Sequence, residues 1–339
     1  MPENSLGRGQ RKLDHLKFFK QDNNGSNGLE YVNLIHQALP ELDWDDIDIT
    51  CRWLGKNLAA PFIINALTGG PPETKEINAA LARVARRTGI GMAVGSQKAA
   101  LENSEWRESF TIVRKENPDG LILANLGAGS SLTLAKKAVD MIAADGLQLH
   151  LNAAQELIMP EGDRTFRGWL ENINSIVQNL DLPVIGKEVG FGLSKESALL
   201  LFQAGIRIVD VGGRGGTNFA AIEGMRRDNY VSALSQWGLP TAISIMEVKS
   251  LKLPIEIIAS GGIKNALDAA KAIALGSKIV GVAGHFLQIL LEQGEDHLTK
   301  EIFNWQEDLK RICLLTGCQR PSELQTKRLV FTGTIMHWL

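Results

Sequence analysis

Eight short apolar runs, each ending in a turn-forming residue, succeed one another along most of this chain. They are PFIINALTG (61–69), GIGMAVGS (89–96), GLILANLG (120–127), GLQLHLN (146–152), PVIGKEVG (183–190), IRIVDVGG (206–213), PIEIIASGG (254–262) and KIVGVAG (278–284). Amphipathic segments separate them, as in ETKEINAALARVARRTG (73–89). Near-continuous apolar strands are typical of a buried parallel sheet, and eight such βα units predict an α/β protein with a (β/α)8 TIM barrel.

The remaining segments flank this barrel in a single predicted domain, 1–339. We expect an N-terminal arm or lid over 1–60, the barrel over 61–285 and C-terminal helices over 286–339. Ser194 predicts the start of the helix after the fifth run, and Gly205 predicts its end. After the sixth run, 214–239 is predicted to be a long loop, and loops of this length in compact domains are often lids.

Charge and cysteine content narrow the class of protein. Lys and Arg total 36 against 38 Asp and Glu, so the net charge of −2 favours neither nucleic acid nor a membrane surface as a partner. No apolar run approaches the ~20 residues of a membrane span, and the first residues lack a signal-peptide pattern. Cys51, Cys313 and Cys318 match neither a secreted disulfide framework nor a zinc site, so we expect a reducing, cytoplasmic compartment.

The last three runs break abruptly into glycines, in VDVGG (209–213), SGGI (260–263) and GVAG (281–284). Glycine permits positive φ and lets backbone N–H groups approach an anion without a Cβ in the way. Barrels of this class commonly build a phosphate site on the loops after their seventh and eighth strands. The pattern therefore predicts a bound phosphate, and in this setting a flavin mononucleotide (FMN).

Polar side chains cluster where the fourth run ends, in QLHLNAAQE (148–156). His150 and Asn152 are two residues apart and are predicted to point the same way from the strand, with Gln155 and Glu156 on the following turn. A histidine satisfied within the core is the simpler interpretation, but the place at the rim of a barrel favours a functional one. Glu156 suits Mg²⁺, which takes one or two carboxylates together with substrate phosphate; the alternative is an acid at a helix N-terminus.

Other runs also end in hydrogen-bonding residues. These are Thr68, Gly69 and Gly70 after the first run, Ser96, Gln97 and Lys98 after the second, and Asn125 in the third. Lys187 lies within the apolar fifth run, where a cation would stabilise the negative ring of a reduced flavin. Its alternative role is an ion pair with Glu188 or an acid on a neighbouring strand.

A basic segment, RGQRKLDH, stands near the N-terminus. Arg11, Lys12 and His15 would suit a diphosphate covered by the arm. A basic run is also commonly a solvated face, and spacing alone does not separate the two.

These stretches together resemble the type 2, flavin-dependent isopentenyl-diphosphate isomerases. The resemblance extends from Arg11 to about Phe286 and rests on RKLDH, LTGG, VGSQ, ANLGA, LHLNAAQE, GDRTFRGW, KEVGFG, GGRGGTNFAAIE and SGGI in that order. It implies interconversion of isopentenyl and dimethylallyl diphosphate with reduced FMN and Mg²⁺, with NADPH reducing the flavin. It also implies a homo-oligomer, a tetramer or an octamer.

The resemblance further implies a role for each matching position. It implies that Gln155, His150 and Lys187 are catalytic and that Glu156 binds Mg²⁺. Substrate contacts are Arg11, Lys12, His15, Ser96, Gln97, Lys98, His150, Asn152 and Gln155. Flavin contacts are Leu67, Thr68, Gly69, Ser96, Asn125, Lys187 and Thr217, with Gly261, Gly262, Ala283 and Gly284 at the phosphate. Lys98, Leu67 and Ala221 depart from the family's usual Arg, Met and polar residue.

Two other classes of function are compatible with an FMN barrel. A 2-hydroxy-acid oxidase would place a catalytic histidine directly before GGR, whereas here Val211 precedes GGR (212–214). An inosine-monophosphate-dehydrogenase-like enzyme needs a nucleophilic cysteine on the sixth loop, and none lies between Cys51 and Cys313. A barrel that binds flavin or phosphate without catalysis is the non-enzymatic alternative, because a fold alone proves no activity.

Overall fold

A closed barrel of eight parallel strands forms the centre of the computed structural model, which describes residues 25–226 and 233–338. Its strands are β1 (Phe62–Ile64), β2 (Gly91–Ala93), β3 (Ile122–Gly127), β4 (Gly146–Leu151), β5 (Val184–Glu188), β6 (Ile208–Asp210), β7 (Glu256–Ser260) and β8 (Ile279–Val282). Neighbours in the chain pair with one another, and β8 returns to β1 with Gly281 opposite Ile63. The predicted fold class and the positions of all eight strands are confirmed.

Helices alternate with these strands and cover the outside of the barrel. They are α1 (Thr74–Thr88), α2 (Lys98–Glu102), α3 (Glu108–Glu116), α4 (Leu132–Ile142), α5 (Ala153–Ile158), α6 (Trp169–Asn179), α7 (Lys195–Gln203), α8 (Phe219–Met225), α9 (Thr241–Ser250), α10 (Ala266–Leu275), α11 (Gly284–Gln293) and α12 (Glu295–Leu315). The predicted start of α7 is confirmed, because the Ser194 hydroxyl accepts a hydrogen bond from the Ser197 N–H at 3.3 Å. Gly205, just beyond its end, has φ +98°, which favours glycine.

The segment after β6 differs from the predicted long loop. Helix α8 forms within it, since Asn218 Oδ1 accepts from the Ala221 N–H at 3.1 Å and so caps the helix. A 3-10 helix follows at Ala233–Gln236, and α9 begins at Thr241. The prediction of a long loop over 214–239 was wrong in this respect, because Asn218 caps a helix within the segment.

A β-hairpin closes the amino-terminal end of the barrel. Its strands, Cys51–Trp53 and Lys56–Leu58, are joined through Leu54 and Gly55, both with positive φ. Trp53 and Leu58 pack on the apolar side chains at that end, and Trp53 Nε1 donates to Glu256 Oε2 at 3.0 Å. The hairpin covers the apolar side chains at this end, and the opposite end of the barrel is left to hold a site.

The C-terminal segment packs against the first strand and the arm. Trp305 of α12 lies against Phe62 and Phe286, with ring centroids 6.0 and 5.1 Å away. The predicted helices are present, although α11 begins at Gly284 rather than Phe286. The prediction that the tail is helical throughout was wrong, because Leu329–Phe331 is a strand that pairs in antiparallel fashion with Val32–Leu34 of the arm. The division at residues 60 and 285 stays a prediction.

Candidate functional site

A cavity of about 340 Å³ opens at the carboxyl ends of the strands. Twelve of the predicted site residues line it: Leu67, Thr68, Ser96, Asn125, His150, Gln155, Lys187, Thr217, Gly261, Gly262, Ala283 and Gly284. Gly69, Gln97, Lys98, Asn152 and Glu156 lie on the same loops but outside this lining. Arg11, Lys12 and His15 fall outside the described residues. The fold therefore brings residues from all eight strand ends, distant in the chain, to one cavity.

Glycine loops after β6 and β7 pack directly against each other along one wall of the cavity. A Cβ on Gly261 would lie 2.0 Å from the Gly213 carbonyl oxygen, and one on Gly216 would lie 2.6 Å from the Gly262 nitrogen. Gly261 has φ +112° and Gly262 has φ +73°, conformations that side chains rarely adopt. Only glycine fits here, and its absence of a side chain leaves backbone N–H groups accessible to an anion.

The N-terminus of α11 lies beside this wall. The helix starts at Gly284 directly after Ala283, and both residues line the cavity. Unpaired N–H groups and the helix dipole make such a terminus suitable for a phosphate. His285 also lines the cavity and stacks on Trp305 with centroids 5.8 Å apart, and burial lowers its pKa, so it adds no positive charge near neutral pH.

Lys187 is buried at the floor of the cavity and forms an ion pair with Asp210 of β6. Its Nζ lies 2.8 Å from Asp210 Oδ2, which also accepts from Asn65 Nδ2 at 2.7 Å. Ser260 and the Gly212 N–H donate to the other oxygen. The alternative role of Lys187 in an ion pair with a strand acid is thus confirmed with Asp210, not with Glu188. Lys187 also lines the cavity.

Glu188 points away from Lys187 and organises the turn after β5. Its Oε2 accepts three hydrogen bonds, from the N–H groups of Gly190 (2.8 Å), Phe191 (2.6 Å) and Gly192 (2.9 Å). Burial raises the pKa of Glu188 to about 7, although these donors oppose the shift. The carboxyl group therefore serves the loop that borders the cavity rather than the cavity itself.

Thr68 presents a buried hydroxyl to the cavity without a hydrogen-bond partner among the described residues. A buried hydroxyl left unpaired is costly, so a partner supplied by a ligand explains its presence. Together with the glycine wall and the helix N-terminus, this unpaired group fits an FMN: the glycines would hold its phosphate, and Thr68 and Lys187 would contact the remainder.

Thr68→Val tests that explanation, because valine keeps the shape and removes the hydroxyl. We expect the FMN-free protein to melt at a higher temperature, since an unpaired buried group is lost. FMN should bind about two- to tenfold more weakly, equivalent to ~0.5–1.5 kcal/mol for one hydrogen bond. Thr88→Val is the matched control: the Thr88 hydroxyl already donates to the Val84 carbonyl at 2.8 Å, so this variant should lose stability and keep its FMN affinity. Equal FMN binding by Thr68→Val and the parent protein would contradict the assignment.

The end of β4 brings three predicted residues to the rim in different ways. His150 lines the cavity and its Nδ1 lies 2.7 Å from Asn125 Oδ1. The strand ends at Leu151, so the predicted alternation does not extend to Asn152, whose Nδ2 donates to Glu156 Oε1 at 2.7 Å. Glu156 is half-buried in the first turn of α5, and its second oxygen accepts from the Asp163 N–H at 2.8 Å. Both interpretations of Glu156, metal ligand and helix-start acid, agree with this position.

Gln97 acts between two loops rather than in the cavity. It is fully buried; its Oε1 accepts from the Asn125 N–H at 3.0 Å and its Nε2 donates to the Ala138 carbonyl at 2.9 Å. The neighbouring Ser96 lines the cavity. Gln97 thereby fixes the loops that carry Ser96 and Asn125, and its predicted substrate contact stays a prediction, as does that of Lys98.

Sequence analysis missed four buried polar residues, of which Asn65 and Ser260 line the cavity and Gln148 and Asp210 lie behind its lining. All are buried and hydrogen-bonded to one another or to predicted site residues. The signal was available, since each polar residue interrupts an apolar strand run just as Lys187 does. No group of three or more His, Cys, Asp or Glu side chains that could hold a metal occurs in the described parts of the chain. Across 25–226 and 233–338, no helix has the length and apolarity to cross a membrane.

Comparisons with known proteins agree with this geometry. A family model described as FMN-dependent dehydrogenase matches residues 135–331. The isopentenyl-diphosphate delta-isomerase of Moorella thermoacetica is 73% identical over 334 residues, which cover 98% of this chain and 96% of that protein. The enzyme of the same name from Geobacillus sp. is 47% identical over 336 residues, with 98% and 96% covered. A structure of mandelate oxidase with (S)-4-hydroxymandelic acid matches with a TM-score of 0.67 at 17% identity, covering 96% of this chain and 98% of that one, and shows the fold alone.

The barrel and the family match define an enzyme of the FMN-dependent dehydrogenase class. Sequence identity to the two relatives over nearly the whole length then narrows this class to one family. The chain belongs to the isopentenyl-diphosphate delta-isomerase family, as the resemblance implied.

Proposed function

We propose that this protein interconverts isopentenyl diphosphate and dimethylallyl diphosphate, using reduced FMN and Mg²⁺, with NADPH as the reductant of the flavin. The observation that carries the proposal is a single cavity bordered by a glycine wall, a buried lysine and a rim of amide and imidazole groups. The names of the Moorella and Geobacillus relatives support isopentenyl diphosphate as the substrate. We also propose that the protein is cytoplasmic and forms a homo-oligomer, either a tetramer or an octamer.

The flavin would be held by groups at two ends of the cavity. Gly261, Gly262, Ala283 and Gly284 would bind its phosphate, while Leu67, Thr68, Gly69, Ser96, Asn125, Lys187 and Thr217 would contact the remainder. When reduced, the bound flavin would supply a nearby group able to give and accept a proton. The Lys187 ammonium would stabilise the negative charge of its ring in a site that excludes bulk water.

The remaining rim residues would bind and orient the substrate. A five-carbon alkene offers no polar handle, so the diphosphate must provide the binding energy that holds it in place. Ser96, Lys98, His150 and Asn152 would serve the diphosphate directly, together with Arg11, Lys12 and His15 of the arm, and Gln97 would serve it by holding the loop that carries Ser96. Gln155 lines the cavity and would lie against the alkene, where its amide can orient the carbons between which a proton is added and removed.

Glu156 would be the protein's ligand to Mg²⁺. Mg²⁺ takes one or two carboxylates and leaves its other positions to water and substrate phosphate, so a lone carboxylate at the rim suffices. Asn152 holds Oε1 of Glu156 in place at 2.7 Å. This arrangement suits a metal that arrives with the diphosphate.

Glu156→Gln should keep the fold and bind FMN normally but lose magnesium-dependent activity. The amide removes one hard anionic ligand, and bridging between metal and diphosphate weakens. The measurement is initial rate against Mg²⁺ concentration. Glu196→Gln is the control, since Glu196 is an acid in the first turn of α7 and is exposed. An unchanged magnesium dependence in Glu156→Gln would leave Glu156 as a helix-start acid only.

Arg11→Ala and Lys12→Ala should each raise KM for isopentenyl diphosphate about ten- to a hundredfold. A charge-assisted phosphate contact contributes roughly 1.5–3 kcal/mol, and its loss affects substrate rather than cofactor. FMN affinity, measured by fluorescence titration, should change little. Equal KM values in both variants and the parent protein would mean that this segment is a solvated face and does not contact the substrate.

Anaerobic incubation tests the proposed function as a whole. The protein is supplied with FMN, Mg²⁺, NADPH and isopentenyl diphosphate, and dimethylallyl diphosphate is measured by chromatography. Oxidation of a 2-hydroxy acid in place of isomerisation would favour the oxidase class. FMN binding with no turnover of either substrate would favour a flavin-binding barrel without catalysis.

A further inference from the structure

Three buried amides connect the Asp210 carboxylate to the His150 imidazole across the interior of the barrel. Asn65, Gln148 and Asn125 form this amide chain, and none is more than 3% exposed. Asn65 Nδ2 donates to Asp210 Oδ2 at 2.7 Å, Gln148 Nε2 donates to Asn65 Oδ1 at 3.1 Å, and Asn125 Nδ2 donates to Gln148 Oε1 at 3.3 Å. Asn125 Oδ1 then lies 2.7 Å from His150 Nδ1.

The direction of every hydrogen bond in the amide chain follows from its first member. An ionised carboxylate only accepts, so Asn65 must turn its NH₂ group toward Asp210 and its oxygen toward Gln148. The Ala66 N–H confirms that orientation, since it donates to Asn65 Oδ1 at 2.9 Å. Each amide oxygen requires the next NH₂ group, and the oxygen of Asn125 is consequently left to face the histidine ring.

An amide oxygen can only accept, so His150 must donate from Nδ1. We infer that Asp210, acting through the amide chain, holds neutral His150 in the tautomer protonated on Nδ1, and that His150 therefore donates to a diphosphate from Nε2 only as an imidazolium ion. Nε2, the second ring nitrogen, lies beside Gly127. A Cβ atom on Gly127 would be 3.2 Å from Nε2. The inference deepens the proposed function and rests on its assignment of His150 to the substrate diphosphate.

On the strands that the structure describes beside His150, the charged groups form one ion pair. Lys187 lies opposite His150 in the register of β4 and β5, and Asp210 is next to Lys187 on β6. Asp210 and Lys187 form one ion pair of no net charge. On the other side β3 presents the neutral Asn125 and Gly127. A diphosphate is thus the partner that would draw a second proton to the ring at a pH where imidazole is ordinarily neutral.

Substitution at Gln148, in the middle of the amide chain, tests the inference without touching the cavity. Gln148→Met removes the acceptor for Asn125, whose amide can then turn over and donate to Nδ1. Gln148→Glu is the matched control: a buried, protonated glutamic acid donates to Asn65 and accepts from Asn125 as glutamine does. Gln148 does not border the cavity, so neither change removes a contact to FMN or diphosphate.

Nitrogen-15 NMR of the FMN-loaded protein at pH 8 reads the tautomer directly, with the His150 signal identified by its loss in His150→Gln. We expect protonated Nδ1 and unprotonated Nε2 in the parent protein and in Gln148→Glu, and a mixture in Gln148→Met. A parent protein protonated on Nε2, or Gln148→Met indistinguishable from it, would overturn the inference.

Calorimetric titration with inorganic diphosphate and Mg²⁺ in buffers of different ionisation heat counts the protons taken up on binding. The parent protein and Gln148→Glu should take up one proton more than His150→Gln, and Gln148→Met clearly less than one. Equal uptake by the parent protein and His150→Gln would also overturn the inference. Failure of the parent protein to bind diphosphate at all would instead contradict the proposed function, while the NMR result would still decide the tautomer.

Discussion

Lys187→Ala is expected to cost about 3–5 kcal/mol of unfolding free energy, because it leaves Asp210 buried without its cation. Asp210 is fully buried, and its other donors, Asn65, Ser260 and a backbone N–H, are neutral. Urea unfolding of the FMN-free protein measures this loss. FMN binding should also weaken, most strongly for the reduced form, because the negative ring would lose the Lys187 ammonium group.

The double variant Lys187→Ala/Asp210→Asn separates the two effects. With both charges removed, the free energy of unfolding should recover most of its loss, as neighbours in one network are not additive. Affinity for reduced FMN should stay low, since the ammonium is still missing. Recovery of reduced-FMN affinity in the double variant would show that Lys187 serves only as the counter-ion of Asp210.

The barrel could be predicted from the sequence because its signals are local. Each strand is a short apolar run ending in glycine or a polar residue, and Ser194 and Gly205 mark the limits of one helix within a few residues of chain. The pairing of Val32–Leu34 with Leu329–Phe331 could not be predicted in this way. Its two strands are three residues long and lie at opposite ends of the chain, and no local pattern links them.

The cavity lining was largely predictable for a related reason. Strand ends of a (β/α)8 barrel meet at one rim, so polar residues such as Thr68, Asn125 and His150 could be grouped without knowing any distance. The partners of such residues could not all be predicted, because some hydrogen bonds in the barrel interior join strands that are not neighbours. Asn65 of the first strand end reaching Asp210 of β6 is an example. A lysine within an apolar strand indicated a functional role for Lys187. Only the structure identifies Asp210 as the acid that makes the burial of Lys187 possible.

Isomerisation should require reduced FMN but consume no reductant in proportion to product. Substrate and product have the same composition, so hydride from NADPH can serve only to convert the bound flavin to its active form. The chain supplies a cation at Lys187 suited to a negatively charged ring, while Val211 stands where a 2-hydroxy-acid oxidase would have its histidine base. We therefore expect one reduction to support many turnovers under anaerobic conditions.

The decisive measurement is the ratio of NADPH oxidised to dimethylallyl diphosphate formed. A ratio far below one, with activity lost when air reoxidises the flavin and restored by dithionite, would agree with a flavin that acts in the proton transfers. Dithionite is the informative control because it reduces FMN without any nicotinamide, and so separates the need for reduced flavin from a need for NADPH itself. Full activity with oxidised FMN would mean that Lys187 stabilises a charge which the reaction does not use. One NADPH consumed per product would mean that the flavin is reoxidised in every turnover, and would contradict a redox-neutral reaction.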